Sequence, residues 1–67
     1  MSFGQKTATL RKQKGLSQAD LAAKVGTIGV TIGRYERDEI KPSIDVAAKI
    51  ADVLEVSLDY LVGSADE

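Results

Sequence analysis

The sequence predicts an all-α fold, a compact five-helix bundle in which the second and third helices form a helix-turn-helix. Three observations carry that expectation. Serine recurs as a start signal ahead of apolar residues at helical spacing, at Ser2, Ser17, Ser43 and Ser57. Glycine follows three of those segments, at Gly15, Gly26 and Gly63, where a chain leaving a helix often needs a left-handed residue. The apolar set is mostly alanine, leucine, isoleucine and valine. With two tyrosines, one phenylalanine and one proline, that mix suits short helices better than strands.

Each element has its own local reason. Ser2 and Gln5 are spaced as a capping box, starting a helix that runs to about Lys14 with Phe3, Thr7 and Leu10 inward. Ser17 and Asp20 open a second helix. Leu16 and Leu21 bracket its start as a hydrophobic staple, and Leu21, Ala22 and Val25 form its buried side. Gly26 ends it in a turn that requires positive φ. A third segment, about Gly29 to Arg37, places Ile32 and Tyr35 on one side. The run from Arg37 to Pro42 is a polar loop, because Lys41 stands before proline and is pushed out of helical geometry. Ser43 caps a fourth helix to about Glu55, with Ile44, Ala47, Ile50, Ala51 and Leu54 as its apolar stripe and Asp45 suiting the helix dipole. Val56, Ser57 and Leu61 repeat the cap and staple for a short fifth helix ending at Gly63. In that helix Tyr60 and Leu61 turn inward while Leu58 and Val62 stay partly exposed. The expected layout is one domain over 1–67 with a short tail at 64–67.

Sixty-seven residues bury a modest core, roughly 60% of the unfolded surface, and the usual staples of small domains are missing. Cysteine and histidine are absent, so neither a disulfide nor a zinc site is expected, and the reading calls for no metal and no cofactor. Without those residues, a nucleophile and base would have to come from carboxylates, serines, threonines, tyrosines and lysines, and the serines sit at expected caps or in the tail, so catalysis is not expected. No charged start leads into a long apolar run, so neither a signal peptide nor a membrane contact is expected. The cysteine-free composition is compatible with a cytoplasmic location.

The net charge of −1 conceals a split. Residues 1–37 hold seven basic and two acidic side chains, a net of +5, whereas residues 38–67 hold two basic and eight acidic ones, a net of −6. Such asymmetry points to one face that meets an anionic partner. A helix pair joined at a tight turn is also the geometry that places its second member in the major groove of double-stranded DNA.

The run Leu10-Arg11-Lys12-Gln13-Lys14-Gly15-Leu16-Ser17-Gln18-Ala19-Asp20-Leu21-Ala22 resembles the opening of the XRE-type helix-turn-helix family of lambdoid phage repressors and Cro. Ile32-Gly33-Arg34-Tyr35-Glu36-Arg37, Ile40-Lys41-Pro42-Ser43 and Val56-Ser57-Leu58-Asp59-Tyr60-Leu61 continue the likeness in order. The resemblance implies a lambda-repressor-like bundle acting as a sequence-specific, repressor-type transcription regulator. It puts Gln18 and the first amides of helix 2 on a phosphate. It sets Gly29, Val30, Thr31, Gly33 and Arg34 toward bases or backbone, and Arg37, Lys41 and Ser43 on flanking phosphates. It further implies a homodimer paired through helix 5, with Leu58 and Val62 at the interface, and an ion pair between Arg11 and Glu36. The alternative for that pair is two separate surface charges, and for Arg34 a solvated arginine.

The family often caps its recognition helix with Ser or Thr, followed by Gln, Arg or Asn. Here Ile28, Gly29, Val30, Thr31 and Gly33 occupy that region, which leaves direct readout to Arg34 and Val30. A second function stays open on the same fold, a protein-interaction module that docks an antitoxin-like or antirepressor-like partner through Ile28, Gly29, Val30 and Gly33. Salt dependence separates the two, because only phosphate contacts release counterions.

Overall fold

A computed structural model describes residues 1–63, and the tail expected at 64–67 lies outside the described residues. Five helices follow in order: α1 (Phe3–Gln13), α2 (Gln18–Val25), α3 (Gly29–Glu36), α4 (Ile44–Leu54) and α5 (Leu58–Val62). α2 packs on α3 and α4, α1 lies across α3, and α5 closes the bundle against α4 and α1.

Local chemistry starts four of the five helices. The Gln5 amide donates to Ser2 Oγ (3.1 Å) while the Ser2 amide donates to Gln5 Oε1 (3.0 Å). Ser17 and Asp20 make the same reciprocal pair, at 2.9 Å each way. Ser43 and Ser57 accept from the amides of Val46 and Tyr60. Such a cap contributes about 1 kcal/mol relative to alanine. α3 alone begins without a side-chain cap, at Ile28.

Leu21, Ile32, Ile50, Leu54 and Leu61 form the centre of the core, with the Thr7 hydroxyl satisfied by donation to the Phe3 carbonyl (2.8 Å). Phe3, Leu10, Ile40, Val46, Val53, Val56 and Leu58 pack around that centre. Two expectations fail here. Ile44, placed on the α4 stripe, is 64% exposed, because as first residue of α4 it precedes the turn that meets the core. Tyr60, expected inward, is 51% exposed. α5 has only five residues and seats a single row, Leu58 and Leu61, on the bundle. The Tyr60 ring is left beneath the Lys6 ammonium, 4.8 Å from its centroid, and that ammonium also donates to the carbonyls of Tyr60 and Gly63.

The joint that Asp38 makes between the α1 N-terminus and the chain leaving α3 has no counterpart in the sequence reading. Asp38 adopts a left-handed conformation (φ 59°), tolerable for aspartate, and turns the chain back over the α1 N-terminus. Its carboxylate accepts from the Gly4 amide (3.0 Å) and the Ser2 hydroxyl (2.6 Å). Gly4 allows this closeness: a Cβ there would stand 2.5 Å from the Tyr35 carbonyl oxygen, and closer still to that of Glu36.

Candidate nucleic-acid interface

The turn between α2 and α3 is made by Gly26, at φ 82° and ψ 31°, with the amides of Gly26 and Thr27 both returning to the Ala22 carbonyl. That left-handed residue ends α2 and lets the chain enter α3 after only Gly26, Thr27 and Ile28. Ile32 and Tyr35 then anchor one side of α3 in the core. Val30 (70% exposed) and Arg34, four residues apart and so on one helical face, point away from it, with Thr31 half-buried beside them.

Gly29 and Gly33, expected toward bases or backbone of DNA, lie beside residues at the start of α2. A Cβ on Gly29 would stand 3.4 Å from the Ala19 backbone. Gly33 is buried, and a Cβ there would meet Arg37 Nη1 at 3.2 Å and the Gln18 side-chain amide at 3.4 Å. The α2 backbone comes within van der Waals reach at Gly29, whereas at Gly33 the neighbours are side-chain ends. Gly33 leaves room for the side-chain ends of Gln18 and Arg37.

Beneath this surface lies a polar brace. The Arg11 guanidinium meets Glu36 through Nε (2.6 Å) and Nη2 (3.1 Å) and donates from Nη1 to the Leu16 carbonyl (2.8 Å). Gln18 Nε2 donates to Glu36 Oε1 (3.0 Å). The expected Arg11–Glu36 pair is therefore present, its side chains 10% and 7% exposed. Burial pushes the Glu36 carboxyl up, but hydrogen bonds from Arg11 and Gln18 and the Arg11 charge outweigh it, so the group sits below the ordinary glutamate value. The same hydrogen bond raises Arg11. One carboxylate thus ties α1, the start of α2 and the end of α3. It fixes Gln18 at the start of α2, and among the described residues nothing accepts its second amide hydrogen.

The loop after α3 supplies the remaining cations. Arg37 ends the helix and pairs with Glu39 through Nε (2.7 Å); Arg34 Nε approaches the same carboxylate at 3.6 Å. Lys41 is exposed and shares a shallow groove with Phe3, Pro42 and Val62. Ser43 serves as the α4 cap, with its hydroxyl proton unassigned by that bond. Leu58 is half-buried on the core and Val62 is exposed. Sequence reasoning missed Gly4, Asp38, Lys6 and Glu39. Of these only Gly4 carried a local signal, a glycine inside a capping box.

A short helix set at a glycine turn against a second helix, with one anchored and one open face, defines a helix-turn-helix domain. The chain belongs to the XRE-type helix-turn-helix family, whose sequence profile matches residues 8–61. It is 37% identical over 66 residues to the HTH-type transcriptional regulator SinR of Bacillus licheniformis, covering 97% of this chain and 60% of that protein. Among solved structures it is similar to the P22 c2 repressor protein in complex with a synthetic operator, at TM-score 0.91 and 30% identity, over 94% of this chain and 96% of that one. It is also similar to SinR in complex with DNA, at TM-score 0.80 and 37% identity, over 88% and 95% of the two chains. The chain spans 58%, 50% and 60% of the lengths of three curated relatives it matches.

Proposed function

We propose that this chain is a sequence-specific DNA-binding domain of a repressor-type transcription regulator, binding two-fold-related sites as a homodimer with α3 in the major groove. The observation that carries this reading is the split of α3, whose Ile32 and Tyr35 are locked in the core while Val30 and Arg34 stand open beside Arg37 and Lys41. Gln18 and the α2 amides supply a phosphate seat, Arg34 pairs with guanine, and Val30 touches a thymine methyl. Arg37, Lys41 and Ser43 flank the groove on phosphates, with Thr31 between the two sets. Leu58 and Val62 make the dimer contact, setting recognition helices about 34 Å apart, one DNA turn. We place the protein in the cytoplasm. No helix among the described residues is long and apolar enough to cross a membrane.

Binding of double-stranded DNA measured against salt tests this. Affinity should fall steeply with salt, Lys41→Glu should weaken all sequences about equally, and Lys49→Glu should do little. Sedimentation showing only monomer, with and without DNA, would refute the dimer. One observation favours a second reading, a protein-docking module: Ile28 is exposed beside Val30 at the start of α3. Partner binding insensitive to salt, without DNA binding, would support it.

A further inference from the structure

Resting on the DNA-binding reading, we propose that Glu39 determines specificity: it stands in for phosphate between Arg37 and Arg34, weakening binding to arbitrary DNA while orienting Arg34 toward a base. The left-handed turn at Asp38 folds the chain back over the end of α3, and the Glu39 amide donates to the Arg34 carbonyl at 2.9 Å. That bond sets the Glu39 side chain between two arginines three residues apart. Its Oε2 accepts from Arg37 Nε at 2.7 Å and its Oε1 from Arg37 Nη2 at 3.5 Å, while Arg34 Nε lies 3.6 Å from Oε1.

Two cations that share one acid present one net charge to a duplex instead of two. Binding to arbitrary DNA is almost entirely neutralisation of phosphates, so it carries the whole of that loss. A matched site is treated differently. Glu39 engages Arg34 from its Nε side, and among the described residues no hydrogen-bond partner holds Arg34 Nη1 or Nη2. Those two nitrogens form a fork that matches guanine O6 and N7. A carboxylate behind the guanidinium therefore limits its swing without blocking its reading edge. The acid subtracts from every complex and returns something only where a guanine is in place.

Glu39→Gln keeps the size of the side chain and removes the charge. In the full chain, binding to a random-sequence duplex is measured by fluorescence anisotropy across a salt series. A second duplex is one selected by the wild-type protein from a random pool. The variant should bind the random duplex more tightly and with a salt slope steeper by about 0.9, so its advantage is about 3.5-fold larger at about 50 mM than at about 200 mM salt. Its preference for the selected duplex over the random one should narrow, most at guanine positions. In an Arg37→Ala background the gain on random DNA should shrink, showing that the acid acts through that arginine. Asp52→Asn removes an equal charge from the exposed side of α4 and should reproduce none of this. A Glu39→Gln protein with wild-type affinity, slope and preference overturns the inference alone, as does an equal change from Asp52→Asn. Wild-type protein that binds neither duplex overturns the DNA-binding reading and this inference with it.

Discussion

Replacing Gly4 with alanine sets two effects of opposite sign against each other. Helix propensity favours alanine by up to about 1 kcal/mol, and Gly4 lies in the first turn of α1. Packing opposes it. The new Cβ would stand 2.5 Å from the Tyr35 carbonyl oxygen, closer to that of Glu36, and 2.8 Å from Asp38 Oδ1. Two of those atoms are backbone at the end of α3, and the third belongs to a carboxylate already held by Ser2 and the Gly4 amide. None can rotate away, so α1 must lift off α3 and loosen the Asp38 bonds. Overpacking of this kind costs about 1–3 kcal/mol, and the weakened hydrogen bonds to a charged group add to it. A net loss of about 2 kcal/mol follows, set against the ~3–10 kcal/mol usual for a chain of this length. Thermal unfolding followed by circular dichroism should show Tm lower by roughly 8–16 °C. An unchanged or higher Tm would refute the steric account and leave propensity in charge.

Gly33→Ala should behave in the opposite way. Its Cβ would meet the exposed end of Arg37 at 3.2 Å, which can shift, and the Gln18 amide held by Glu36 at an ordinary contact of 3.4 Å. Stability should therefore rise by about 0.5–1 kcal/mol in urea unfolding while DNA affinity changes as Arg37 shifts. Glu36 should make the fold acid-sensitive. Its folded pKa is below the unfolded value near 4.5, so its contribution is complete above that value and is lost as pH falls through the folded pKa; Glu36→Gln should flatten that limb of the stability profile. Lys6→Met should remove the cation over Tyr60 and the donor to the α5 carbonyls, costing about 1 kcal/mol and speeding amide hydrogen exchange in α5.

Most of the helical architecture was legible in the sequence because its causes are local. Ser2 with Gln5, and Ser17 with Asp20, complete their capping boxes within a single turn. Gly26 takes its left-handed turn within its own dihedrals, and the apolar spacing of Leu21, Val25, Ile32 and Tyr35 defines a core side wherever the helices go. The open face of α3 at Val30 and Arg34 follows from the same periodicity. The resemblance added the Arg11–Glu36 brace, which joins residues 25 apart in the chain.

What only the tertiary structure decided is how closely the helices approach one another and in which direction their short residues point. Gly29 and Gly33 share a face by periodicity, but only packing brings Ala19 and Gln18 of α2 against it. Gly4 and Asp38 lie 34 residues apart and have no meaning to each other until α1 lies across the end of α3. Tyr60 stays outside because five residues of α5 seat one row, and Lys6 from α1 takes the flank. Glu39 becomes a partner for two arginines only after a positive φ at Asp38 reverses the chain. Periodicity and caps act within a turn or two of helix, whereas hydrogen bonds and steric contacts between distant segments exist only once packing has brought their atoms within a few ångströms.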